Sequence, residues 1–359
     1  MSNFRKKTIQ DVEISGKTVL VRVDYNVPIK DGAIQEDMRI RGSLDTIRYL
    51  LDHGARKVIL MSHLGRPDGA YVPEMSLAPC AQRLGELLPD KIVRFSDMIY
   101  GQEAKDAVDA LPEGGVLLLE NLRYVPDEEE NSAEFAQEIV NATGAELFVQ
   151  DGFAVIHRAH ASTDAIARIL PAVAGFLVEN EVSQLEGAMK NPERPLLVIV
   201  GGAKVADKQP LIDKFLPIAD KIIVGGKIAA DGYTSDNAKI YVAEDFAEDE
   251  NGAKLDIGSA SIAKIVEVIK GSKTIVWNGT LGMVENEEFA RGSYAVAEAM
   301  GENKDAMTII GGGDTAGYVE SVIRNNDKLS YSLISTGGGA SLELLSGKAL
   351  PGLEILQDK

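Results

Sequence analysis

Short apolar runs rich in valine, isoleucine and leucine recur along the chain, and segments with helical spacing separate them. Such runs are typical of buried parallel strands, because helices cover both faces of the sheet. The predicted strands are residues 18–23, 57–61, 116–119 and 146–149 in the first half, and 196–200, 222–224, 274–277, 308–310 and 333–334 in the second. The pattern predicts an α/β protein with mainly parallel sheets flanked by helices.

The residues that follow these strands differ between the two halves. In the first half, each strand carries or precedes an arginine or histidine. In the second half, four of the five runs lead into glycines, which allow backbone amides to approach phosphates closely. Ligands of α/β sheets bind beyond the carboxyl ends of the strands, where helix N-termini offer free N–H groups. We therefore expect a small-anion site in the first half and a polyphosphate site in the second.

Two glycine turns of the second half include charged residues. Lys204 and Lys208 lie four residues apart after Gly201–Gly202, so on a helix they share a face beside the dipole end that favours phosphate. No Walker A string is present. Asp314 follows Gly311–Gly313, and a carboxylate beside a phosphate cradle implies an intervening Mg²⁺. A helix N-cap is the other interpretation of Asp314, and both could hold.

His157 and His160 flank Arg158 in the first half, with Asp151 nearby. A zinc site normally needs a third and a fourth ligand at compatible spacing, so we favour anion binding over metal binding. A buried structural pair of histidines is the remaining alternative.

The length of 359 residues predicts two domains. Helical spacing after Pro171 predicts a connecting helix over residues 172–190, although the same pattern suits a terminal helix of the first domain. The acidic stretches 127–130 and 244–251 are typical of solvated loops or helix starts, and we assign them no chemistry. Cys80, the single cysteine, is expected to be a buried helix residue.

The net charge of −18 argues against general binding to nucleic acid or anionic membranes. No apolar run is long enough to cross a bilayer, and the polar start over residues 1–7 lacks the apolar region of a signal peptide. One cysteine cannot form an internal disulfide, which fits a reducing compartment. We expect a cytoplasmic protein, with a monomer as the default.

Taken in order along the chain, these motifs resemble the phosphoglycerate kinase family over nearly the whole length. The matching strings are VRVDYNVP at 21–28, RIR at 39–41, SHLGRP at 62–67, ENLR at 120–123, HRAHAS at 157–162, GGAKVADK at 201–208, WNG at 277–279, GGGDT at 311–315 and STGGGASLE at 335–343. Any one of them alone is weak, but their order is highly specific.

The resemblance implies two Rossmann-like domains that close around the substrates. Residues 1–171 would bind 3-phosphoglycerate, 172–190 would form a hinge helix, 191–345 would bind the Mg-nucleotide, and 346–359 would return to the first domain. The implied acid-binding residues are Arg22, Asp24, Asn26, Arg39, His63, Arg66, Arg123, His157, Arg158 and His160. The implied nucleotide-binding residues are Gly201, Gly202, Lys204, Lys208, Gly225, Gly226, Asn278, Glu285, Gly311, Gly312, Gly313, Asp314 and Thr315. Arg39, Lys204, Gly337, Gly338 and Gly339 would act on the transferring group, and Asp314 would organise Mg²⁺.

The activity implied is reversible phosphoryl transfer between ATP and the carboxylate of 3-phosphoglycerate. The main alternative is a relative that binds a phosphorylated anion or nucleotide without transfer, and a nucleotide-binding dehydrogenase is more distant. The chain departs from the family pattern in three places. Residues 227–255 are shortened where the family builds its adenine pocket, Lys227 and Lys254 replace glycines, and Ala154, Val155 and Ile156 replace Gly-Thr-Ala. We therefore expect relaxed discrimination between nucleotide bases.

Overall fold

The computed structural model describes residues 4–359, so the first three residues of the polar start lie outside the described part. The chain divides into two compact units, Met1–Val182 with Ala349–Lys359, and Ser183–Lys348. Each unit is built on one six-stranded parallel sheet flanked by helices, which confirms the predicted fold class. No helix between residues 4 and 359 is long and apolar enough to span a membrane.

The first unit has the sheet order β5-β6-β4-β1-β7-β8, with every pair parallel, and a separate β2–β3 hairpin. The strands are β1 (Thr18–Arg22), β2 (Ile29–Lys30), β3 (Ala33–Ile34), β4 (Lys57–Met61), β5 (Val93–Phe95), β6 (Gly115–Leu118), β7 (Leu147–Gln150) and β8 (Ala172–Ala174). The helices are α1 (Met38–Gly42), α2 (Leu44–Asp52), α3 (Ala78–Leu87), α4 (Gly101–Asp109), α5 (Ala133–Thr143), α6 (Ile166–Ile169) and α7 (Phe176–Lys190), which begins in this unit and ends in the second.

The second unit has the sheet order β11-β10-β9-β14-β15-β16, again with every pair parallel, and a separate β12–β13 hairpin. The strands are β9 (Leu196–Val200), β10 (Lys221–Val224), β11 (Ile240–Val242), β12 (Phe246–Glu248), β13 (Lys254–Ile257), β14 (Thr274–Asn278), β15 (Met307–Gly311) and β16 (Leu333–Ile334). The helices are α8 (Val205–Phe215), α9 (Gly226–Ala230), α10 (Ser259–Gly271), α11 (Arg291–Glu302), α12 (Gly313–Asn325) and α13 (Gly339–Leu345), and α14 (Pro351–Glu354) follows in the tail.

All nine strands expected from apolar runs are present, with ends that differ by at most one residue. The sequence pattern missed the edge strands β5, β8 and β11. β8 is fully buried but only three residues long, whereas β5 and β11 are partly exposed and do not need an unbroken apolar run. In β5, for example, the exposed Arg94 lies between two half-buried residues.

The connecting helix is shorter than predicted. Residues Ala172–Ala174 form β8, which pairs in parallel with β7, and the helix α7 begins only at Phe176. Gly175 lies between them, and a Cβ at this glycine would overlap the Asp151 carboxylate. The prediction of helix over 172–174 is therefore wrong, because a glycine that packs against a side chain separates strand from helix.

The C-terminal tail pairs with the start of the chain. The backbone N–H of Lys7 donates to the carbonyl of Gln357 at 2.7 Å, and Lys6 forms a bridge with Asp358. The ammonium of Lys6 also lies 2.9 Å from the Asp358 carboxylate.

The two acidic stretches are not simply solvated loops. Glu128 is completely buried, and Phe246–Glu248 forms one strand of the β12–β13 hairpin. The prediction for Cys80 is confirmed, since it is buried within α3 and burial raises the pKa of its thiol to about 12.

Candidate active site

Basic side chains of the first unit follow four neighbouring parallel strands. Arg22 ends β1, His63 follows β4, Arg123 follows β6, and the segment with Arg158 follows β7. Because these strands run parallel and lie side by side, their carboxyl ends open on the same edge of the sheet. The fold therefore gathers these cationic groups at one edge.

The contacts at this edge centre on Arg22, Asp24 and His63, all buried. Arg22 Nη2 lies 3.2 Å from His63 Nδ1, and the carboxylate of Asp24 lies 3.8 Å from the same nitrogen. Asp24 also accepts a hydrogen bond from Arg39 of α1. Four strand ends and one helix thus contribute to a single cluster.

Two histidines of this cluster, His63 and His160, have lowered pKa values and favour the neutral form. Burial and the charges of Arg22, Arg123, Arg39 and Arg158 hold the pKa of His63 well below its usual value. Burial, together with Arg22, Arg123 and Arg158, lowers the pKa of His160 to about 4. The positive charge available to an anion therefore comes from guanidinium groups, while these two histidines contribute neutral donors or acceptors.

The remaining acid-site residues join the same cluster through further contacts. Asn26 accepts from the backbone N–H of Gly65 at 2.9 Å, and Arg123 donates to the carbonyl of Gly65 at 2.8 Å. The positive charge of Arg66 lowers the pKa of Arg123. Arg158 Nε donates to His157 Nε2 at 3.3 Å. The structure therefore brings all ten predicted residues together.

No group of three or more His, Cys, Asp or Glu side chains suited to a metal ion occurs in the described part of the chain. Asp151, the nearest candidate ligand beside His157 and His160, instead accepts from the backbone N–H of Leu177 at 2.9 Å. Residues 4–359 therefore provide no third ligand beside these two histidines.

In the second unit, the glycine turns pack backbone against backbone. A Cβ at Gly201 would overlap the carbonyl of Thr280, and a Cβ at Gly279 would overlap the carbonyl of Gly201. A Cβ at Gly226 would also overlap the carbonyl of Thr280. The turns after β9, β10 and β14 can approach this closely only because they are glycine, and their amides are consequently concentrated in a small region.

Asn278, the last residue of β14, connects these turns to Lys208. Its side-chain carbonyl accepts from the Lys208 ammonium, while its amide nitrogen is buried with no hydrogen-bond partner among residues 4–359. That nitrogen faces Gly311 and Gly312, where an added Cβ atom would lie 3.2 and 3.4 Å away, respectively. An unpartnered buried donor at a glycine turn suits a ligand oxygen.

The turn after β15 leads into α12. Gly312 has a φ of +96° and is the helix N-cap, so the interpretation of Asp314 as the N-cap is wrong. Asp314 lies in the first turn with an exposed side chain, and Thr315 accepts from the backbone N–H of Gly279 at 2.9 Å. One open carboxylate beside a phosphate site fits Mg²⁺, which binds through one or two carboxylates plus substrate phosphates.

The other predicted nucleotide residues are more loosely connected. Gly338 has a φ of +49° at the start of α13, and a Cβ there would lie 3.9 Å from the backbone nitrogen of Gly313. Lys204 is the exposed N-cap of α8, and Glu285 is exposed in the loop after β14. In the described part of the chain, neither side chain forms a hydrogen bond or ion pair with the other predicted residues.

Sequence reasoning misses Glu128 and Ser162. The sequence shows Glu128 only within an acidic stretch and Ser162 only within a matching string. Both are fully buried, and the Ser162 hydroxyl donates to Glu128 at 2.6 Å. A single acidic residue that faces inward within an acidic run has no distinct sequence pattern.

The chain is a two-unit α/β protein with an arginine cluster on one unit and close-packed glycine turns on the other, an arrangement suited to phosphorylated anions. The family model described as phosphoglycerate kinase matches residues 9–240 and 230–348. The phosphoglycerate kinase of Clostridium perfringens is 44% identical over 99% of this chain and 100% of its own length, and that of Roseiflexus castenholzii is 44% identical over 98% and 99%.

Two solved structures share the fold. The phosphoglycerate kinase of Pyrococcus horikoshii aligns with a TM-score of 0.85 at 30% identity, and that of Coxiella burnetii with a TM-score of 0.78 at 33% identity. Each alignment covers 98% of both chains. The chain belongs to the phosphoglycerate kinase family and is a phosphotransferase, for which the family implies 3-phosphoglycerate and ATP as substrates.

The chain is also shorter than its Clostridium perfringens relative. The alignment with the Clostridium perfringens relative runs over 403 positions against the 359 residues of this chain, so at least 44 positions have no counterpart here. The two family-model matches meet at residues 230–240. In the structure, α9 ends at Ala230 and the edge strand β11 begins at Ile240.

The residues that depart from the family pattern have ordinary local contacts. Lys227 pairs with Asp231 at 2.8 Å on the surface, and Lys254 Nζ lies 4.7 Å from the centroid of the Phe246 ring. Val155 and Ile156 are buried in the first unit.

Proposed function

We propose that this chain transfers a phosphoryl group reversibly between ATP and the carboxylate of 3-phosphoglycerate, with Mg²⁺ bound alongside the nucleotide. The products are 1,3-bisphosphoglycerate and ADP. The observation that supports this most directly is the convergence of Arg22, Arg39, Arg123 and Arg158 on one buried histidine at the carboxyl edge of the first sheet. A small ligand with a phosphate and a carboxylate suits such a cluster, because guanidinium groups bind both bidentately.

The acid site would hold its ligand mainly through the charge of its arginines. Arg22, Arg39, Arg66, Arg123 and Arg158 supply the positive charge, while His63, His157 and His160, with Asp24 and Asn26, complete the polar lining. Arg39 is held by Asp24, so its guanidinium is oriented before the ligand arrives. Preorganised charge of this kind lowers the cost of binding and of transfer.

The nucleotide site of our proposal lies at the glycine turns of the second unit. The turns at Gly201–Gly202, Gly225–Gly226 and Gly311–Gly313 would let the phosphates approach the backbone closely, together with Lys208, Asn278 and Thr315. The N–H groups of Gly201, Gly202 and Gly225 donate to backbone carbonyls and hold these turns in place. Glu285 would bind the ribose hydroxyls. Asp314 would hold Mg²⁺, which neutralises charge on the nucleotide phosphates when it is bound.

The reaction needs no protein base. In the ATP-consuming direction the nucleophile is a carboxylate, which is already ionised at pH 7. Catalysis of phosphoryl transfer is mostly positioning and electrostatic stabilisation of the charge on the transferring group. We assign this role to Arg39, Lys204 and the turn Gly337–Gly339. In this turn the N–H of Gly337 donates to Ser335 Oγ at 3.1 Å, so the amides of Gly338 and Gly339 are the ones assigned to the transferring group.

Two matched pairs of variants test the assignment. Arg39→Ala should raise the KM for 3-phosphoglycerate and lower turnover, whereas Arg41→Ala, on the same helix but paired with Asp37, should do neither. Lys204→Ala should lower turnover by about 10²-fold or more, by analogy with loss of one oxyanion donor. Lys214→Ala, at the far end of the same helix, is the control. Near-normal turnover of the Lys204 variant would remove it from the transition-state role.

A further inference from the structure

A completely buried carboxylate lies behind the arginines of the acid site. Glu128 ends the short 3-10 turn Pro126–Glu128 and is 0% exposed. Both of its oxygens accept from one residue: the backbone N–H of Ser162 at 3.0 Å and the Ser162 hydroxyl at 2.6 Å. The Ser162 hydroxyl also accepts from Arg22 Nε at 2.8 Å.

These hydrogen bonds have a fixed direction. A serine hydroxyl has one proton to donate and two lone pairs to accept with. Because the proton of Ser162 points to Glu128, a lone pair faces Arg22 Nε. Arg22 donates to Ser162, and Ser162 donates to Glu128, with all three side chains no more than 1% exposed.

Glu128 also balances the buried charge of Arg22. Burial lowers the pKa of Arg22, and Glu128 is the first of the groups that oppose this shift, followed by Asp24. Asp24 already pairs with Arg39. An arginine buried this deeply needs a counterion close by, since an uncompensated buried charge is strongly destabilising.

The charged and titratable groups that face Glu128 come from three segments. They are Arg22 of β1, Arg123 after β6, and His160, whose Nδ1 lies 3.8 Å from the Glu128 carboxylate. Burial raises the pKa of Glu128, while Arg22, the Ser162 hydrogen bonds and Arg123 lower it, and burial has the larger effect.

We propose that Glu128 is a positioning residue for the acid site: acting through Ser162, it holds the Nε edge of Arg22, one of the guanidinium groups of the cluster that binds the anionic substrate. The Val23 carbonyl and His63 hold the Nη1 and Nη2 groups of the same guanidinium. This inference rests on the proposed function of the cluster as the 3-phosphoglycerate site. Glu128 itself touches no substrate. Its oxygens are occupied by Ser162, so its effect on the ligand passes through Arg22.

The proposal predicts a selective effect on one substrate. Arg22 binds the acid similarly in the ground state and the transition state, so a loss of its orientation raises KM more than it lowers kcat. Glu128→Gln removes the charge and places an amide N–H against the Ser162 N–H or hydroxyl. We expect the KM for 3-phosphoglycerate to rise about tenfold, with kcat within about threefold of the wild type and the KM for ATP unchanged.

Glu130→Gln is the matched control, because it makes the same charge change two residues away on an exposed side chain. Ser162→Ala keeps the Glu128 charge but breaks the connection, and it should show the same selective rise in KM. The KM of the double variant Glu128→Gln/Ser162→Ala for 3-phosphoglycerate should be no higher than the larger of the two single-variant values. This follows because both substitutions break the same chain of hydrogen bonds.

The pH dependence separates positioning from a general loss of structure. In the wild type, the KM for the acid should rise as the pH falls through the titration of Glu128. The ratio of the Glu128→Gln KM to the wild-type KM should therefore shrink toward acid pH. The substrate's own titration is common to both proteins and cancels in the ratio.

Three results would overturn the proposal: an unchanged KM for 3-phosphoglycerate in folded Glu128→Gln, an unchanged KM in Ser162→Ala, or equal losses for both substrates. If Glu128→Gln does not fold, the KM of Ser162→Ala for 3-phosphoglycerate tests the proposal in its place. A different result would contradict the proposed function: the wild-type protein would show no turnover. In that case the dissociation constants of 3-phosphoglycerate, measured by calorimetry on the same variants, still decide the role of Glu128.

Discussion

The ammonium of Lys208 donates to the side-chain carbonyl of Asn278 and so fixes which end of that amide faces the glycine turn after β15. The amide nitrogen is left buried and unpartnered within residues 4–359, beside Gly311 and Gly312. A ligand oxygen would satisfy this donor, and the energy of doing so depends on Lys208 holding the amide in place.

Asn278→Ala should therefore weaken nucleotide binding and leave the acid site unaffected. Losing one hydrogen bond to a charged phosphate corresponds to about 1.5–3 kcal/mol, so we expect the KM for ATP to rise by about tenfold or more. Asn325→Ala, on the exposed far end of α12, is the control. An equal rise in the KM for 3-phosphoglycerate would show that the effect is not local to the nucleotide.

Asp151 gives a prediction about stability and pH. It is fully buried, and burial raises the pKa of its carboxyl to about 7. Hydrogen bonds from Thr46, Leu177 and Val178 lower this pKa, but burial has the larger effect. Between about pH 4 and pH 7 the unfolded chain has released this proton and the folded chain still holds it, so stability falls as the pH rises through that window.

Asp151→Asn removes this titration and keeps an acceptor for Leu177. Relative to the wild type, the variant should gain about 2 kcal/mol in the free energy of unfolding between pH 5 and pH 8. Urea unfolding at both pH values measures it. A difference between the two proteins that stays constant with pH would show that Asp151 is ionised throughout.

Gly175 should tolerate no side chain. Its Cβ would overlap the Asp151 carboxylate at the point where β8 gives way to α7, so Gly175→Ala should cost about 1–3 kcal/mol or more. Gly317→Ala, inside α12 with open space around the added methyl group, should instead stabilise by up to about 1 kcal/mol. The unfolding temperature should fall in Gly175→Ala and rise in Gly317→Ala. Equal shifts of the two temperatures would contradict this prediction.

The shortened stretch 227–255 predicts relaxed discrimination between nucleotide bases. The phosphates would still be held at the glycine turns, but the resemblance implies that this stretch would help to form the adenine pocket. We expect values of kcat/KM for ATP and GTP within about tenfold of each other, since without specific contacts little free energy separates the bases. Strict preference for ATP in a steady-state comparison would contradict this.

The sequence predicted the central strands well because each is buried on both faces and must be continuously apolar. It failed at the edges, as in β5, where Arg94 interrupts the run, and at residues 172–174, where only the packing of Gly175 against Asp151 ends the strand. The charged residues at strand ends were predictable, because parallel topology brings the ends of neighbouring strands together.

Glu128 and Ser162 could not have been found in the same way. Their role depends on which way one carboxylate of an acidic run points, and that is decided by packing against Arg22 from a distant strand. The neutral state of His63 was hidden for the same reason, because it follows from four arginines that are separated along the chain.

The most direct test of the proposed function is a coupled assay of ATP-dependent phosphorylation of 3-phosphoglycerate, run with Mg²⁺ and again after its removal. We expect turnover with the metal and loss of turnover without it, restored when Mg²⁺ is added back. A folded protein that binds 3-phosphoglycerate but shows no turnover with any nucleotide in the presence of Mg²⁺ would contradict the proposal.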